Sequence, residues 1–286
     1  MKKKVLIIFK YPHGHWNFPV INRFSNYYDT EFIYISDYKN KNFTEIINII
    51  NNLIKSKNIE IVVFDVDYFR FINFFFIEEI KSKKKVLITG DDFELHELNS
   101  ITASACDIIL SHCPLSVLKY KEKGYEAYNI QLLYDPKDKL IKQDYKNKKE
   151  IDVLFFGNFT PDRKDILSFI KEQGVALKNI GHEERVSGVT DDELSKLISK
   201  TKIILELSKS RTESVKNYSS ENTYKFYYQF KSRIYIAGLN NVACVAEYSP
   251  GLELLYNSDE VPSFFTKEEC VKNLKTLLND NELLEK

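Results

Sequence analysis

KSRIYIAGLNNVACVAEYSPGLELLY, residues 231–256, reads as the end of a helix, a tight turn, a buried strand and a second loop that opens another helix. Arg233 starts a mixed apolar run, and Gly238-Leu239-Asn240-Asn241 carries strong turn chemistry. Val242 to Ala246 is a short continuous apolar run, the pattern of a strand covered on both faces. Glu247-Tyr248-Ser249-Pro250-Gly251-Leu252-Glu253 then forms a polar loop into a helix start. In an open α/β sheet a loop leaving the carboxyl end of a strand is where ligands bind. The first N–H groups of a following helix favour an anion there. The stretch therefore describes one wall of a site for something negatively charged.

Outward from it, the same strand–helix rhythm fills the chain. Toward the amino end, strands are expected at Val5–Phe9, Glu31–Ser36, Ile59–Phe64, Lys85–Thr89, Asp107–Ser111 and Ala127–Leu132. Helices are expected at Val20–Tyr28, Thr44–Ser56, Phe71–Lys81 and Leu115–Glu122. A polar, lysine-rich break at 134–150, with Pro136, reads as a linker. Strands Ile151–Phe156, Val175–Ile180 and Lys202–Leu207 follow, with helices Arg163–Gln173, Asp191–Lys200, Tyr224–Phe230 and, near the end, Lys267–Leu278. Such alternation means parallel, doubly wound sheets, here in two α/β domains, 1–140 and 151–286, facing a cleft.

Composition bounds the function. At 286 residues and 43% hydrophobic content the chain can bury two ordinary cores. Lys+Arg and Asp+Glu both number 41, which argues against a surface built for nucleic acid. The basic MKKK and Lys81–Lys85 patches read as solvated ends, or else as attraction to anionic lipid, a peripheral membrane contact. Cys106, Cys113, Cys244 and Cys270 form no C-x-x-C pair, so no metal site is expected. Val5–Phe9 is too short for a leader, and no run reaches membrane-spanning length; a cytoplasmic, reduced protein is expected.

Residues 231–256 also resemble the donor-binding half of GT-B glycosyltransferases, especially the CgeB-like and family-4-like "group 1" enzymes. That group carries R-x-F-E…G-G…D-Y-x-P-G-L-E-E-L-F, against Arg233-Ile-Tyr235-Ile236 and Glu247-Tyr248-Ser249-Pro250-Gly251-Leu252-Glu253 here. A second match is Phe156-Gly157-Asn158 with Arg163. The resemblance covers 151–280 well and the first domain in outline. It implies a GT-B fold and transfer of a sugar from a nucleotide-diphosphate donor to an acceptor hydroxyl. The departing phosphate would be stabilised by Arg, Lys and helix N-termini, with no metal and no cofactor beyond the nucleotide-sugar co-substrate. The acceptor, whether glycan, lipid-linked or protein, is not specified, nor is whether a homodimer forms. Ile236 stands where the family has glutamate, so either Glu247 or Glu253 takes over, donor recognition differs, or activity is lost; a non-catalytic partner subunit that binds nucleotide sugar or glycan is the alternative.

The expected residues follow. Arg233 is the first candidate for the phosphates, with Arg211 and Lys216 behind it in a loop that is otherwise simply solvated. Gly157 would let the backbone approach the donor and Asn158 would hydrogen-bond to it. Arg163 opposes the helix dipole, and so serves a ligand or pairs with Asp162 or Asp165. Glu247 would take the ribose hydroxyls; Tyr248, Gly251, Leu252 and Glu253 would line the donor's sugar or phosphate. On the acceptor side, His13, His15 and Asn17 follow the first strand, and His15 is a candidate base if the loop is not merely structural. Asp91 and Asp92 end another strand, either as base or as caps of the next helix. The aromatics from Tyr68 to Phe76 read as core rather than a sugar platform.

Overall fold

The computed structural model describes residues 2–12, 17–65, 71–90, 92–130, 140–141, 148–182, 189–209, 228–229 and 231–285. The chain divides into two compact units, Met1–Asp135 and Pro136–Lys286.

In the first unit the elements run β1 (Lys4–Phe9), α1 (Asn17–Tyr27), β2 (Asp29–Tyr34), α2 (Phe43–Lys57), β3 (Ile61–Asp65), α3 (Phe74–Glu78), β4 (Lys84–Thr89), α4 (Asp92–Ala103), β5 (Ile108–Ser111), α5 (Pro114–Glu122) and β6 (Glu126–Asn129). They form one sheet in the order β2-β1-β3-β4-β5-β6. Neighbours are parallel, with Val5 opposite Ile61, Val63 opposite Val86 and Thr89 opposite Ser111. The inner strand β1 reads as an unbroken apolar run because both its faces are covered. Leu6 and Ile8 enter a core with Ile46, Ile50 and Ile54 of α2 and Tyr120 of α5. Val5, Ile7 and Phe9 point the other way, onto Val20 of α1. Local signals fix the ends of α2. Asn42 and Glu45 make a reciprocal capping box, and Asn58 closes the helix in the left-handed region at φ 53°.

The aromatic helix expected over Phe71–Lys81 shortens to Phe74–Glu78. Asn73 caps it by accepting from the Phe76 N–H, and Phe71 stays outside to meet Phe76 and Phe43 edge-on and tilted at 5.7 and 6.1 Å. Conversely, α4 has no apolar stripe in the sequence. Its inward positions are Asp92, Leu95, His96, Asn99, Thr102 and Ala103, and most of these are polar. Hydrophobic periodicity cannot reveal a helix that buries a polar face.

In the second unit β7 (Ile151–Asn158), α6 (Pro161–Glu172), β8 (Leu177–His182), α7 (Asp191–Ser199), β9 (Thr201–Glu206), α8 (Arg233–Leu239), β10 (Ala243–Glu247), β11 (Ser263–Phe264), α9 (Lys267–Asn279) and α10 (Asn281–Glu285) follow in order. The sheet order is β11-β10-β9-β7-β8, again parallel. Leu167 and Ile170 of α6 and Leu274 and Leu277 of α9 cover one face over Val153, Phe155, Ile203 and Val245. The strand expected at Val242–Ala246 lies one residue later, and the helix expected after it is a three-residue 3-10 turn, Leu252–Leu254. Of the expected helix Tyr224–Phe230, Tyr228 instead makes an antiparallel bridge with Lys209, Gln229 is in no helix, and the other residues lie outside those described. Leu140, from the expected linker, accepts a hydrogen bond from Asn240 at 3.0 Å, and Ile141 beside it is buried.

Candidate functional site

Three strands of the second unit, β7, β9 and β10, end side by side, and the candidate donor residues gather there. Arg233, the first residue of α8, turns its guanidinium back under these ends and is 6% exposed. Its Nε lies 2.7 Å from Glu206 Oε2, and Nη2 donates to Glu206 Oε1 at 3.1 Å. Nη1 donates to the Phe156 carbonyl at 2.9 Å and Nη2 to the Leu207 carbonyl at 3.2 Å. The ring of Phe155 lies 5.2 Å beneath the guanidinium. Glu206 is fully buried, so the pair is shut away from solvent. Arg233 was expected to meet a phosphate; its guanidinium meets Glu206 and main-chain carbonyls.

Gly157 does allow a close approach, but the group that approaches is Arg233. Gly157 has φ +143°, and a Cβ there would stand 2.7 Å from Arg233 Nη1. Gly181 on β8 closes the other side, where a Cβ would fall 2.1 Å from the Gly157 carbonyl oxygen. Asn158, the last residue of β7, gives its carbonyl to Arg163 Nη1 at 3.0 Å.

Arg163 pairs with neither Asp162 nor Asp165. Lys209 takes Asp162 at 3.1 Å and Lys267 takes Asp165 at 3.1 Å. The Arg163 side chain is 5% exposed, and Nη2 donates to the carbonyls of Leu207 at 2.9 Å and Lys209 at 3.3 Å. The Thr160 hydroxyl caps α6 at the Arg163 N–H. Arg163 thus ties α6 to the end of β9.

Glu247, the last residue of β10, is 6% exposed. Its Oε2 accepts from the Lys209 N–H at 2.9 Å, and its carbonyl accepts from the fully buried Ser208 hydroxyl at 2.7 Å. Burial pushes the carboxyl above its ordinary range, against the pull of the main-chain donors and Arg163. Beyond it, Tyr248 stacks on Phe265 at 4.6 Å and directs its hydroxyl to the exposed Glu253 at 3.3 Å. Gly251 takes φ 93°. The Leu252 side chain is buried, and its N–H is committed to the Ser249 carbonyl at 3.1 Å. Among the described donor-side candidates of this loop, Tyr248 and Glu253 have side chains that reach the surface.

In the first unit Asp92 opens α4 with no exposed surface. Its Oδ2 accepts from Thr89 at 2.9 Å and Ser111 at 2.6 Å, and Oδ1 from Asn99 at 2.7 Å and Tyr120 at 3.0 Å. Asp92 was expected as a base or as a cap of the next helix; its carboxylate faces no solvent and accepts from side chains of β4, α4, β5 and α5, an internal cross-link that neither reading anticipated. Asn17 begins α1. His13, His15, Asp91, Arg211 and Lys216 lie outside the described residues. Among the described residues no group of three or more His, Cys, Asp or Glu could hold a metal ion, and no helix is long and apolar enough to cross a membrane.

Glu206 and Ser208 were missed in the sequence. The signal was there for Glu206, a carboxylate inside the apolar run Ile203–Leu207, since a charge so placed is almost never fully buried unless paired.

No family model and no curated protein matches the chain. Solved structures do. The Anabaena protein HepE in complex with UDP-glucose aligns with TM-score 0.62 at 11% identity, covering 99% of this chain and 91% of HepE. UDP-GlcNAc 2-epimerase from Methanocaldococcus jannaschii aligns at 0.56 with 12% identity, covering 97% and 93%. The apo lipopolysaccharide outer core galactosyltransferase WaaB aligns at 0.53 with 10% identity, covering 99% and 93%. These likenesses show the fold: two parallel-sheet α/β domains of the GT-B type.

Proposed function

We propose that this chain uses a nucleotide sugar, as a GT-B glycosyltransferase that moves the sugar to an acceptor hydroxyl. The observation that carries this reading is the end-to-end likeness to a protein solved with UDP-glucose, at TM-score 0.62 over 99% of the chain. The site would lie at the ends of β7, β9 and β10, where an α/β sheet places its ligands. Asn158, Tyr248 and Glu253 would face the donor. Arg211 and Lys216 would supply the phosphate contacts that Arg163 and Arg233 spend on carbonyls and Glu206. His13, His15, Asn17 and Asp91 remain the proposed acceptor side. No metal is needed in this scheme, and location in the cytoplasm and the CgeB-like affinity belong to the same proposal.

One observation favours a second reading, a non-catalytic binder. Ile236 is 1% exposed in the core, so the position where the family carries glutamate offers no ligand contact here. Thermal stabilisation of the purified protein by UDP, GDP, CMP, ADP and dTDP tests both, because a ligand that binds the folded state raises its stability by mass action. A shift with one nucleotide, followed by release of that nucleotide from its sugar conjugate, supports the transferase. A shift without turnover selects a non-catalytic nucleotide-sugar binder, and no shift with any of them removes the transferase and favours the non-catalytic reading, a subunit that binds a glycan or a partner.

A further inference from the structure

Buried carboxylates at the edge of a site for an anion need a reason, because their own charge repels the ligand. Glu206 and Glu247 end neighbouring strands, β9 and β10, and both are at most 6% exposed. Each carries a main-chain bond to the connection between β9 and α8. Glu247 Oε2 accepts from the N–H of Lys209, at the departing foot, at 2.9 Å. Glu206 Oε1 accepts from the N–H of Lys231, at the returning foot, at 3.0 Å. The feet also hold each other, through Gln229 N–H to the Ser208 carbonyl at 2.9 Å and the Lys209–Tyr228 bridge.

We infer that Glu206 and Glu247 are positioning residues, which clamp both feet of the β9–α8 connection by their main-chain N–H groups while Arg233 and Arg163 act as buried counter-charges rather than as ligands of an anion. An apolar residue could fill either position, since well-packed hydrophobic groups often replace buried ion pairs without loss. It could not hold an N–H, and a main-chain donor left unmet in a buried place costs about 1–3 kcal/mol. Arg233 needs Glu206 for the same reason: its fork spans the carboxylate and the carbonyls of Phe156 and Leu207 at once, fixing the Gly157 backbone against the end of β9. Arg163 does this for the other foot through the Lys209 carbonyl.

This rests on the nucleotide reading, and the experiment separates the two. UDP affinity is measured by calorimetry for the wild type, Glu206→Gln, Glu247→Leu and Glu247→Gln, with amide exchange followed at Lys209 and Lys231. On charge alone, Glu206→Gln removes a negative group beside an anion and tightens binding. As a clamp it weakens binding at least tenfold: Oε1 serves both the Lys231 N–H and Arg233 Nη2 while Oε2 faces Arg233 Nε, so an amide must set its own NH2 against one of these donors, and as the side chain turns away the Lys231 amide exchanges at least tenfold faster. Glu247→Leu weakens UDP similarly and exposes the Lys209 amide, and Glu247→Gln, which keeps an acceptor, recovers most of the loss. Equal or tighter UDP binding by folded Glu206→Gln overturns the inference, as does a lower melting temperature with unchanged affinity. If the wild type binds no UDP, the nucleotide reading falls and the exchange data decide: faster exchange at Lys231 in Glu206→Gln and at Lys209 in Glu247→Leu upholds the clamp, and unchanged protection at either overturns it.

Discussion

Arg163 and Arg233 donate to the same acceptor, the Leu207 carbonyl, at 2.9 and 3.2 Å. They come from the starts of different helices, α6 and α8, and both lie over the Phe155 ring, at 5.9 and 5.2 Å. Two buried guanidinium groups on one carbonyl are stable only with acceptors and negative charge around them. Glu206 supplies the charge to Arg233, and the carbonyls of Asn158, Leu207 and Lys209 surround Arg163. The cluster knits the ends of β7 and β9 before any ligand arrives.

Gly157→Ala should test how tightly it is knit. The new methyl would stand 2.7 Å from Arg233 Nη1 at φ +143°, a backbone angle that L side chains rarely adopt. The expected cost is roughly 1–3 kcal/mol from the strained backbone alone, read as a lower urea midpoint. Arg233→Ala strands Glu206 and should cost about 3–5 kcal/mol. In the double mutant the steric part of the glycine change is gone, so the losses should sum to less than the two single effects. Full additivity would mean that the two residues do not press on each other.

Asp92→Ala should be among the most damaging changes in the first unit. It leaves Thr89, Asn99, Ser111 and Tyr120 facing a cavity without their acceptor. About 3–5 kcal/mol is expected for breaking such a buried charged network. Urea denaturation of Asp92→Ala reads this, and a change below about 1 kcal/mol would show that the network contributes little.

His96 makes the first unit sensitive to acid. The imidazole is 4% exposed, neither ring nitrogen has a hydrogen-bond partner among the described residues, and the Tyr120 ring lies 4.6 Å away. Burial holds its pKa below the ordinary 6.5, with Lys119 and Lys123 adding to the effect and Asp92 and Glu97 opposing it. A folded-state pKa below the unfolded one means that the unfolded chain takes up the proton first. The contribution of His96 is therefore intact above pH 6.5 and declines as pH falls below that value toward the lower folded-state pKa. Melting temperatures of wild type and His96→Leu, compared between neutral and mildly acid pH, should differ in slope, with the variant losing less. Parallel curves would remove His96 as the source.

The rhythm of strands and helices was legible in the chain because burial on both faces forces apolar runs, as in Val5–Phe9 and Ile203–Leu205. Asn42 and Thr160 cap α2 and α6, a local signal that lay in the chain and went unread where the helices were expected from Thr44 and Arg163. The reading failed where the deciding partner is remote. Beyond candidate caps at Asp91 and Asp92, the extent of α4 went unread, because its inner face is satisfied by Ser111, Ser116 and Tyr120, between 19 and 28 residues away. The loop after Tyr248 resembled a helix start, yet Gly251 at φ 93° turns it into a short 3-10 segment.

Arg233 shows the division most clearly. The sequence set it at the start of a mixed apolar run, and the family resemblance made Arg233 and Gly157 candidates for one donor site. Which group would answer that charge lay with the fold. Glu206 stands 27 residues before Arg233 and Phe156 stands 77 before it, and only the parallel pairing of β7 with β9 brings both to one guanidinium. Local propensity and periodicity act over a few residues and so can be read along the chain. The pairing of buried charges is settled by desolvation at contact distance, which exists only once the strands are side by side.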